Sequence, residues 1–293
     1  SDAFLNNLHE IMCRTLANNM HSIPTDCCQR DERQGWMGDG QLCCEAVCTN
    51  FDAQYFYRKW LSDIADCQDE ETGNIPYMTA PAWIAGEALA WTCAYYEVAY
   101  QLLRYYDDRQ AVARHYPGLS AYYRYLRTRE DSDGLLTLSG LCDWLAPEPT
   151  EEGNIRDALY FRFAVVMEKM ARALGKDEDA RYYAAEADRI RKAYNKRYYS
   201  PHKFTDKRSG YYGTCYYVGQ AANAIPISFG IVDGGDFDRV AEKLVYELTE
   251  SMGDTRLTTG FIGTKALFEA LILLGRCDIA FDLLKREDYP SWG

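Results

Sequence analysis

The hydrophobic pattern of this chain is helical along almost its whole length, and this restricts the fold more than any other feature. Apolar residues recur three and four positions apart, the spacing that places them on one face of an α-helix. Each apolar stripe then has to be covered by another helix, so the core is built from helix faces. We predict eleven helices, near residues 3–20, 39–49, 52–68, 83–106, 108–128, 155–174, 177–197, 216–230, 236–251, 260–274 and 276–286.

The connectors between these segments are short, which indicates antiparallel helical hairpins. Hairpins arranged in a ring form an all-α, (α/α)6 toroid with a central pocket. An open α-solenoid is the alternative, although its repeats would show self-similarity at a fixed period, which this sequence lacks. Six hairpins contain twelve helices, so eleven predict a toroid that is incomplete by about one helix at the C-terminus.

Two further features complete the predicted architecture. Residues 198–212 alternate aromatic and polar side chains around Pro201 and Gly210, a pattern typical of a short β-hairpin. No stretch rich in proline, glycine or serine divides the chain, so we predict a single domain over residues 1–293.

Charge and cysteine content argue against several classes of partner and cofactor. The formal net charge is -12, whereas binding to nucleic acid or to an anionic membrane normally uses clustered Lys and Arg. We therefore expect neither as a partner; the oligomeric state stays open. The eleven cysteines include two adjacent pairs that cannot easily bridge, so reduced thiols and a cytoplasmic location are favoured. Zinc-type CxxC spacing is absent, and we expect no metal and no cofactor.

One polar loop, residues 21–39, lies between the first two predicted helices and holds an unusual concentration of charge. On composition alone, such a loop is a solvated surface. The alternative is that Asp26, Glu32 and Asp39 converge on one pocket. Mutual repulsion and partial burial there would raise a carboxyl pKa until that group can donate a proton.

Two arginines of the polar loop, Arg30 and Arg33, are placed to keep neighbouring carboxylates ionised. Glycoside hydrolysis needs this division of labour. One carboxyl has to protonate the leaving oxygen, while another carboxylate activates water.

The polar loop resembles that of bacterial α-L-rhamnosidases, whose pattern is SxPTDCPQRDERxGWxGDAQ. Cys28 stands here in place of the usual proline, and Gly40 in place of alanine. Further matches follow in the family's order and extend over the whole chain: Phe51-Asp52, Phe56-Tyr57-Arg58-Lys59-Trp60, Asp108-Arg109, His115-Tyr116-Pro117, Asp143-Trp144-Leu145-Ala146-Pro147, Leu257-Thr258-Thr259-Gly260 and Asp288-Tyr289-Pro290-Ser291-Trp292.

The resemblance implies an inverting glycosidase that removes terminal α-L-rhamnose from a rhamnose-containing carbohydrate substrate. Position by position, it implies a general acid at Glu32, polar and aromatic sugar contacts within the loop, and two further aromatic walls. The implied binding residues are Asp26, Arg30, Trp36, Asp39, Trp91 and Trp144. Indole rings suit a 6-deoxy sugar, because its methyl group and C–H faces are apolar. For each tryptophan, ordinary core packing is the competing interpretation.

The largest departure from the family is at the C-terminus. There the family continues with a Gly-Ala-Thr-Thr-Ile-Trp-Glu pattern whose glutamate is the general base, whereas this sequence ends at Gly293. A site without its base is expected to lose most of its activity. A non-catalytic or inactive rhamnose-binding homologue is therefore the alternative function, and an unrelated helical scaffold is a third.

Overall fold

The structure, a computed structural model, describes residues 2–79, 86–205, 212–216, 219–250 and 253–291. A short antiparallel pair of strands, β1 Ser200–Thr205 and β2 Tyr212–Cys215, lies between the eighth and ninth helices. Among the described residues, no helix is both long and apolar enough to cross a membrane. The α-helices of these ranges are α1 Ala3–Asn18, α2 Met37–Asn50, α3 Gln54–Asp66, α4 Leu89–Thr92, α5 Ala94–Tyr106, α6 Arg109–Arg127, α7 Glu152–Ala173, α8 Asp177–Tyr198, α9 Gln220–Phe229, α10 Phe237–Thr249, α11 Phe261–Leu273 and α12 Cys277–Leu284.

The predicted helical segments coincide with these helices, and one segment contains two of them. The segment near 83–106 holds both α4 and α5, because Cys93 has a φ of -57° with a ψ of only -17°, which tightens the turn and separates the helices. The β-hairpin predicted for residues 198–212 is present as β1 and β2. Residues 80–85 of the split segment and residues 206–211 of the hairpin lie outside the described part of the chain.

The chain divides into two compact units. The N-terminal unit comprises Asn6–Leu141 and Leu159–Ile190, and the C-terminal unit comprises Ser1–Leu5, Cys142–Ala158 and Arg191–Gly293. The single domain that the sequence predicts is not decided by this division and stays a prediction.

Helix α5 is the centre of packing in the N-terminal unit, where it contacts α2, α3 and α6. Its Tyr96 ring stacks on Phe163 of α7, with ring centroids 4.4 Å apart and an interplanar angle of 15°. The Arg162 guanidinium, one residue earlier on α7, pairs with Glu97 at 2.8 Å. Large buried rings supply much of the apolar contact area of a core. Because α2 packs on α5, the end of the polar loop that leads into α2 is fixed to this core.

In the C-terminal unit, α9 packs against α10 and α11, and α12 packs on α11. A buried ion pair joins Lys243 and Glu247 on α10, with 3.3 Å between Nζ and Oε1. The Glu247 carboxylate also accepts hydrogen bonds from the Gly219 N–H and the Asn223 side chain, each at 3.3 Å. A buried charge pair requires such additional bonds to offset its desolvation. The pair therefore anchors the beginning of α9 to α10.

The first turn of α11 is capped by Asp143, which lies more than a hundred residues earlier in the chain. The Gly260 N–H donates to Asp143 Oδ2 and the Gly263 N–H donates to Oδ1, both at 2.8 Å. These two amides belong to the group at a helix start that has no partner within the helix. Gly260 has no room for a side chain, since a Cβ there would lie 2.4 Å from the Trp144 carbonyl oxygen.

We expect Asp143→Ala to lower the free energy of unfolding by about 1–3 kcal/mol, because it leaves buried N–H donors without an acceptor. Asp278→Ala is the matched control, since Asp278 lies in the first turn of α12 but is exposed and pairs with Arg276 at the surface. An exposed pair of this kind contributes little to stability, because water screens the two charges, so the control should lose less. Urea unfolding of both variants measures the difference, and equal losses would contradict the capping role.

Candidate active site

The polar loop closes on itself through Asp26 and Gln34. The Asp26 N–H donates to the Gln34 carbonyl at 3.0 Å, and the Gln34 N–H donates to Asp26 Oδ1 at 2.7 Å. Between them lies a 3₁₀ turn at Cys28–Arg30, followed by Asp31 and Arg33 in the left-handed region with φ of 57° and 48°. Non-glycine residues adopt this region only when the surrounding structure holds them there, and such strain concentrates at functional sites.

Within this closed loop, the structure brings the predicted general acid next to a tryptophan and a second carboxylate. The Trp36 indole Nε1–H donates to Glu32 Oε1 at 3.1 Å. Carboxylate oxygens of Asp26 and Glu32 and the Cys27 sulfur all lie within 4.8 Å of one another. Glu32 is exposed, whereas Asp26 is only 6% exposed. The predicted acid is thus open to solvent, whereas the carboxylate beside it is buried.

Asp39 completes the carboxylate cluster from the first turn of α2. A helix N-terminus ordinarily stabilises a negative charge. Here burial, together with the charges of Asp26 and Glu32, raises the pKa of Asp39 to about 6. Burial also raises the pKa of Asp26, although the hydrogen bond from the Gln34 N–H opposes this. The cluster therefore holds carboxyl groups that can remain protonated in weakly acidic solution.

The raised pKa of Asp39 predicts a pH dependence of stability. Its folded pKa of about 6 lies above the usual value of 3.8, so the folded state binds this proton more tightly. The stabilisation of the folded state by the protonated Asp39 carboxyl is therefore fully present below about pH 4 and is lost as the pH rises through about 6. This difference in pKa between the folded and unfolded chain corresponds to at most about 3 kcal/mol of stability. Solvent screening at this half-buried side chain lowers that value.

Asp39→Asn removes this titration. We expect the unfolding free energy of the original chain to fall, relative to that of the variant, between about pH 4 and pH 6. Asp52→Asn is the control, because Asp52 is exposed outside the cluster. Denaturant unfolding at a series of pH values gives the two curves, and parallel curves would contradict the assignment to Asp39.

The two arginines of the loop lie in different surroundings. The Arg33 guanidinium pairs with Asp31, which is exposed, rather than with Asp26 or Glu32. Both residues lie in the left-handed region of the backbone. Arg30 is exposed at the end of the 3₁₀ turn.

Cys27 is a member of the cluster that the sequence did not single out. Its sulfur is near enough to Asp26 and Glu32 for the three to share a cation. However, burial and a hydrogen bond with Asp26 raise the pKa of Cys27 to about 11, against the opposing charge of Arg30. Metals bind the thiolate rather than the thiol. The prediction that the protein has no metal stays a prediction.

Close backbone contacts fix the position of the loop against the rest of the N-terminal unit. The Met37 N–H donates to the Tyr77 carbonyl at 3.1 Å, and the Thr79 N–H donates to the Gly35 carbonyl at 2.9 Å. A Cβ at Gly35 would lie 2.0 Å from the Thr79 carbonyl oxygen, so only glycine permits this approach. The site tryptophan Trp36 is thereby held between two ladder-like contacts.

The two other predicted aromatic walls lie in different environments. Trp91, in α4, is 3% exposed and packs against the backbone of Gly38, where a Cβ would lie 2.5 Å from its ring. The Trp91 ring therefore packs against the first turn of α2, the turn that also carries Asp39. Trp144 belongs to the C-terminal unit and is 53% exposed. Its carbonyl accepts the Phe261 N–H at 3.2 Å, so its backbone helps to begin α11.

Tyr77 is a second site residue that the sequence did not predict. Its ring stacks on Trp36, with centroids 5.8 Å apart and an interplanar angle of 7°. No motif marks it, because it lies far along the chain from the polar loop, on the connection that follows α3.

Glycosidases work with pairs of carboxyl groups, and this helical fold gathers three of them, Asp26, Glu32 and Asp39, at one loop and helix start. The family model described as the bacterial alpha-L-rhamnosidase 6 hairpin glycosidase domain matches residues 1–293. The chain belongs to this family. The match confirms both the resemblance and the predicted all-α six-hairpin fold class.

Individual relatives agree with this assignment. The chain is 33% identical over 291 residues to an alpha-L-rhamnosidase of Streptomyces avermitilis, covering 99% of this chain and 27% of that protein. It superposes on an alpha-L-rhamnosidase from Dictyoglumus thermophilum with a TM-score of 0.90 at 30% identity, covering 100% of this chain and 32% of the other. A Streptomyces avermitilis alpha-L-rhamnosidase complexed with L-rhamnose gives a TM-score of 0.88 at 30% identity, covering 100% and 27% of the two chains. The chain thus spans between a quarter and a third of the length of these relatives.

Proposed function

We propose that this chain binds α-L-rhamnose and provides the general acid for its hydrolytic removal, with inversion, from glycosides or polysaccharides. The observation that carries the proposal is the hydrogen bond from Trp36 to Glu32, with Asp26 beside them. This bond brings together an apolar ring and a candidate proton donor, and Asp26 adds an acceptor for a sugar hydroxyl within 4.8 Å of the Glu32 carboxylate. One relative with the same fold is complexed with L-rhamnose, which supports the choice of sugar.

In this proposal Glu32 carries the proton that the glycosidic oxygen receives. Its exposed position at the loop suits this role, because the leaving group has to approach from solvent. Departure of the protonated oxygen produces an oxocarbenium-like transition state, which the neighbouring carboxylates stabilise. A positioned general acid contributes typically about 10²–10⁴-fold to the rate.

The remaining loop residues orient the ring. Asp26 and Asp39 accept hydrogen bonds from sugar hydroxyls, and Arg30 donates to them, since charged groups make the stronger hydrogen bonds. Trp36 offers its indole face to the apolar C–H groups and to the 6-methyl group. Trp91 acts through its support of α2.

Inversion requires a carboxylate that activates water on the opposite face of the sugar, about 6.5–9.5 Å from the acid. From the resemblance, we expect this base in the family's segment that follows the Tyr-Pro-Ser-Trp-Gly motif. The alternative function is rhamnose binding without catalysis.

A single experiment distinguishes these possibilities. The chain is incubated with an aryl α-L-rhamnoside, and proton NMR identifies the anomer of L-rhamnose that appears first. Early β-anomer supports inverting hydrolysis, whereas early α-anomer contradicts inversion. Saturable rhamnose binding without turnover supports the non-catalytic alternative. A panel of aryl mannosides, glucosides and uronides tests the sugar, and preferred cleavage of any of these would overturn the assignment to rhamnose.

A further inference from the structure

We propose that Tyr77 is a positioning residue for the general acid, because it fixes the plane of the Trp36 indole whose N–H bonds to Glu32. The inference rests on the proposed function only in naming Glu32 as the acid. Its structural part, that Tyr77 controls the bond between Trp36 and Glu32, can be tested without any sugar.

The first step of the argument is the contact between the two rings. Tyr77 and Trp36 are nearly parallel, with an interplanar angle of 7° and centroids 5.8 Å apart. Offset parallel stacking is a favoured arrangement of aromatic pairs, and it restricts rotation of both rings. An indole that cannot turn keeps its N–H in a constant direction, and here that direction leads to Glu32 Oε1 at 3.1 Å.

The second step is that Tyr77 is itself held in place. Its carbonyl accepts the Met37 N–H at 3.1 Å, and Trp36 forms an isolated antiparallel bridge with Met78, the next residue. A Cβ at Gly86 would lie 1.6 Å from Tyr77 Cε1, so the Gly86 backbone lies directly against the ring. Tyr77 is thus confined by Gly86 and by its backbone bonds while it stacks on Trp36.

The third step is the chemical consequence for the acid. An indole N–H can only donate, so Oε1 of Glu32 serves as acceptor in this bond. The proton that is to be transferred is then favoured on Oε2, the oxygen that faces away from the indole. Tyr77 therefore influences which carboxyl oxygen presents the proton and where that oxygen points. A geometry fixed in advance is worth more to the rate than one that has to be found in each turnover.

The test uses the indole N–H signals of the 15N-labelled chain, which has six tryptophans. Trp36→Phe identifies the Trp36 signal, and Glu32→Ala shows where that signal moves when its carboxylate acceptor is lost. We expect Tyr77→Leu to move the Trp36 signal in the same direction and to accelerate exchange of its proton by about 3–10-fold, the size of one aromatic pair contribution. Tyr77→Phe keeps the ring and is expected to stay within about twofold of the original chain.

Two further variants guard against a general loss of structure. Gly86→Ala keeps the tyrosine at position 77 but adds a methyl group where its ring now lies. The ring has to shift, so the Trp36 signal should move as it does in Tyr77→Leu. Tyr55→Leu is the control, since Tyr55 is 76% exposed on α3 and should leave the signal unchanged. If both Tyr77→Leu and Gly86→Ala leave the Trp36 signal and its exchange rate unaltered, the inference is overturned.

Turnover separates this inference from the proposed function. With an aryl rhamnoside, Tyr77→Leu should lower kcat more than it raises KM, and Tyr77→Phe should restore kcat. If the original chain neither binds nor cleaves rhamnosides, the proposed function is wrong, and the indole signal alone then decides the role of Tyr77. A purely structural role would instead move all six indole signals together and lower stability without the split between kcat and KM.

Discussion

Glu32→Gln is expected to reduce the turnover of an aryl α-L-rhamnoside by about 10²–10⁴-fold, the usual contribution of a positioned general acid. The amide has nearly the same shape and can still accept the Trp36 N–H, but it carries no proton to transfer. The loss should depend on the leaving group. Dinitrophenolate is stable as an anion and leaves without protonation. Cleavage of a dinitrophenyl rhamnoside should therefore be affected far less than cleavage of a simple alkyl or phenyl rhamnoside.

Comparison of the two leaving groups makes this test specific to proton donation. Glu10→Gln is the control, since Glu10 is exposed on α1 and pairs with Arg14 at the surface. Initial rates are measured for both substrates with each variant. Equal losses for the activated and the unactivated rhamnoside would contradict a role for Glu32 as the acid and would indicate a role in binding.

The largest stability effect is expected at Trp91. Its ring is 3% exposed and lies against the Gly38 backbone, so Trp91→Ala would create a large cavity beneath α2. We expect a loss of about 3–5 kcal/mol in the free energy of unfolding. Rhamnose affinity should fall as well, because Asp39 is held by the same turn of α2.

Trp144→Ala is the matched control for this cavity. Trp144 is 53% exposed, and its replacement should change the unfolding free energy by no more than about 0.5 kcal/mol. Urea unfolding of both variants, followed by circular dichroism, gives the two values. A Trp91→Ala chain as stable as Trp144→Ala would show that the indole is not a supporting element of α2.

Sequence patterns predicted what is local in this protein. The helices follow from apolar spacing, and the meeting of Asp26 with Glu32 follows from their place in one short loop. Features that depend on distant segments were not predictable. Asp143 caps α11 from a separation of 117 residues, and no pattern near either end indicates that contact.

Within the site, two properties also depend on contacts between distant segments: which carboxyl group has a raised pKa, and how deeply Trp91 is buried. Repulsion within the polar loop correctly suggested a raised carboxyl pKa, but burial decides which group is affected, and the raised pKa values belong to Asp39 and Asp26. The sequence also treated Trp91 as a pocket wall, whereas its burial behind Gly38 depends on how α4 packs on α2. Burial is a tertiary property, and a side chain's neighbours cannot be counted before the helices are placed.

The central claim is that L-rhamnose binds where Trp36, Glu32 and Asp26 meet. The most direct measurement is a titration of the 15N-labelled chain with L-rhamnose, followed at the Trp36 indole signal. We predict a saturable shift of that signal, weakened by Asp39→Asn. A Trp36 signal that stays constant up to saturating sugar, or a shift confined to other tryptophans, would contradict the account.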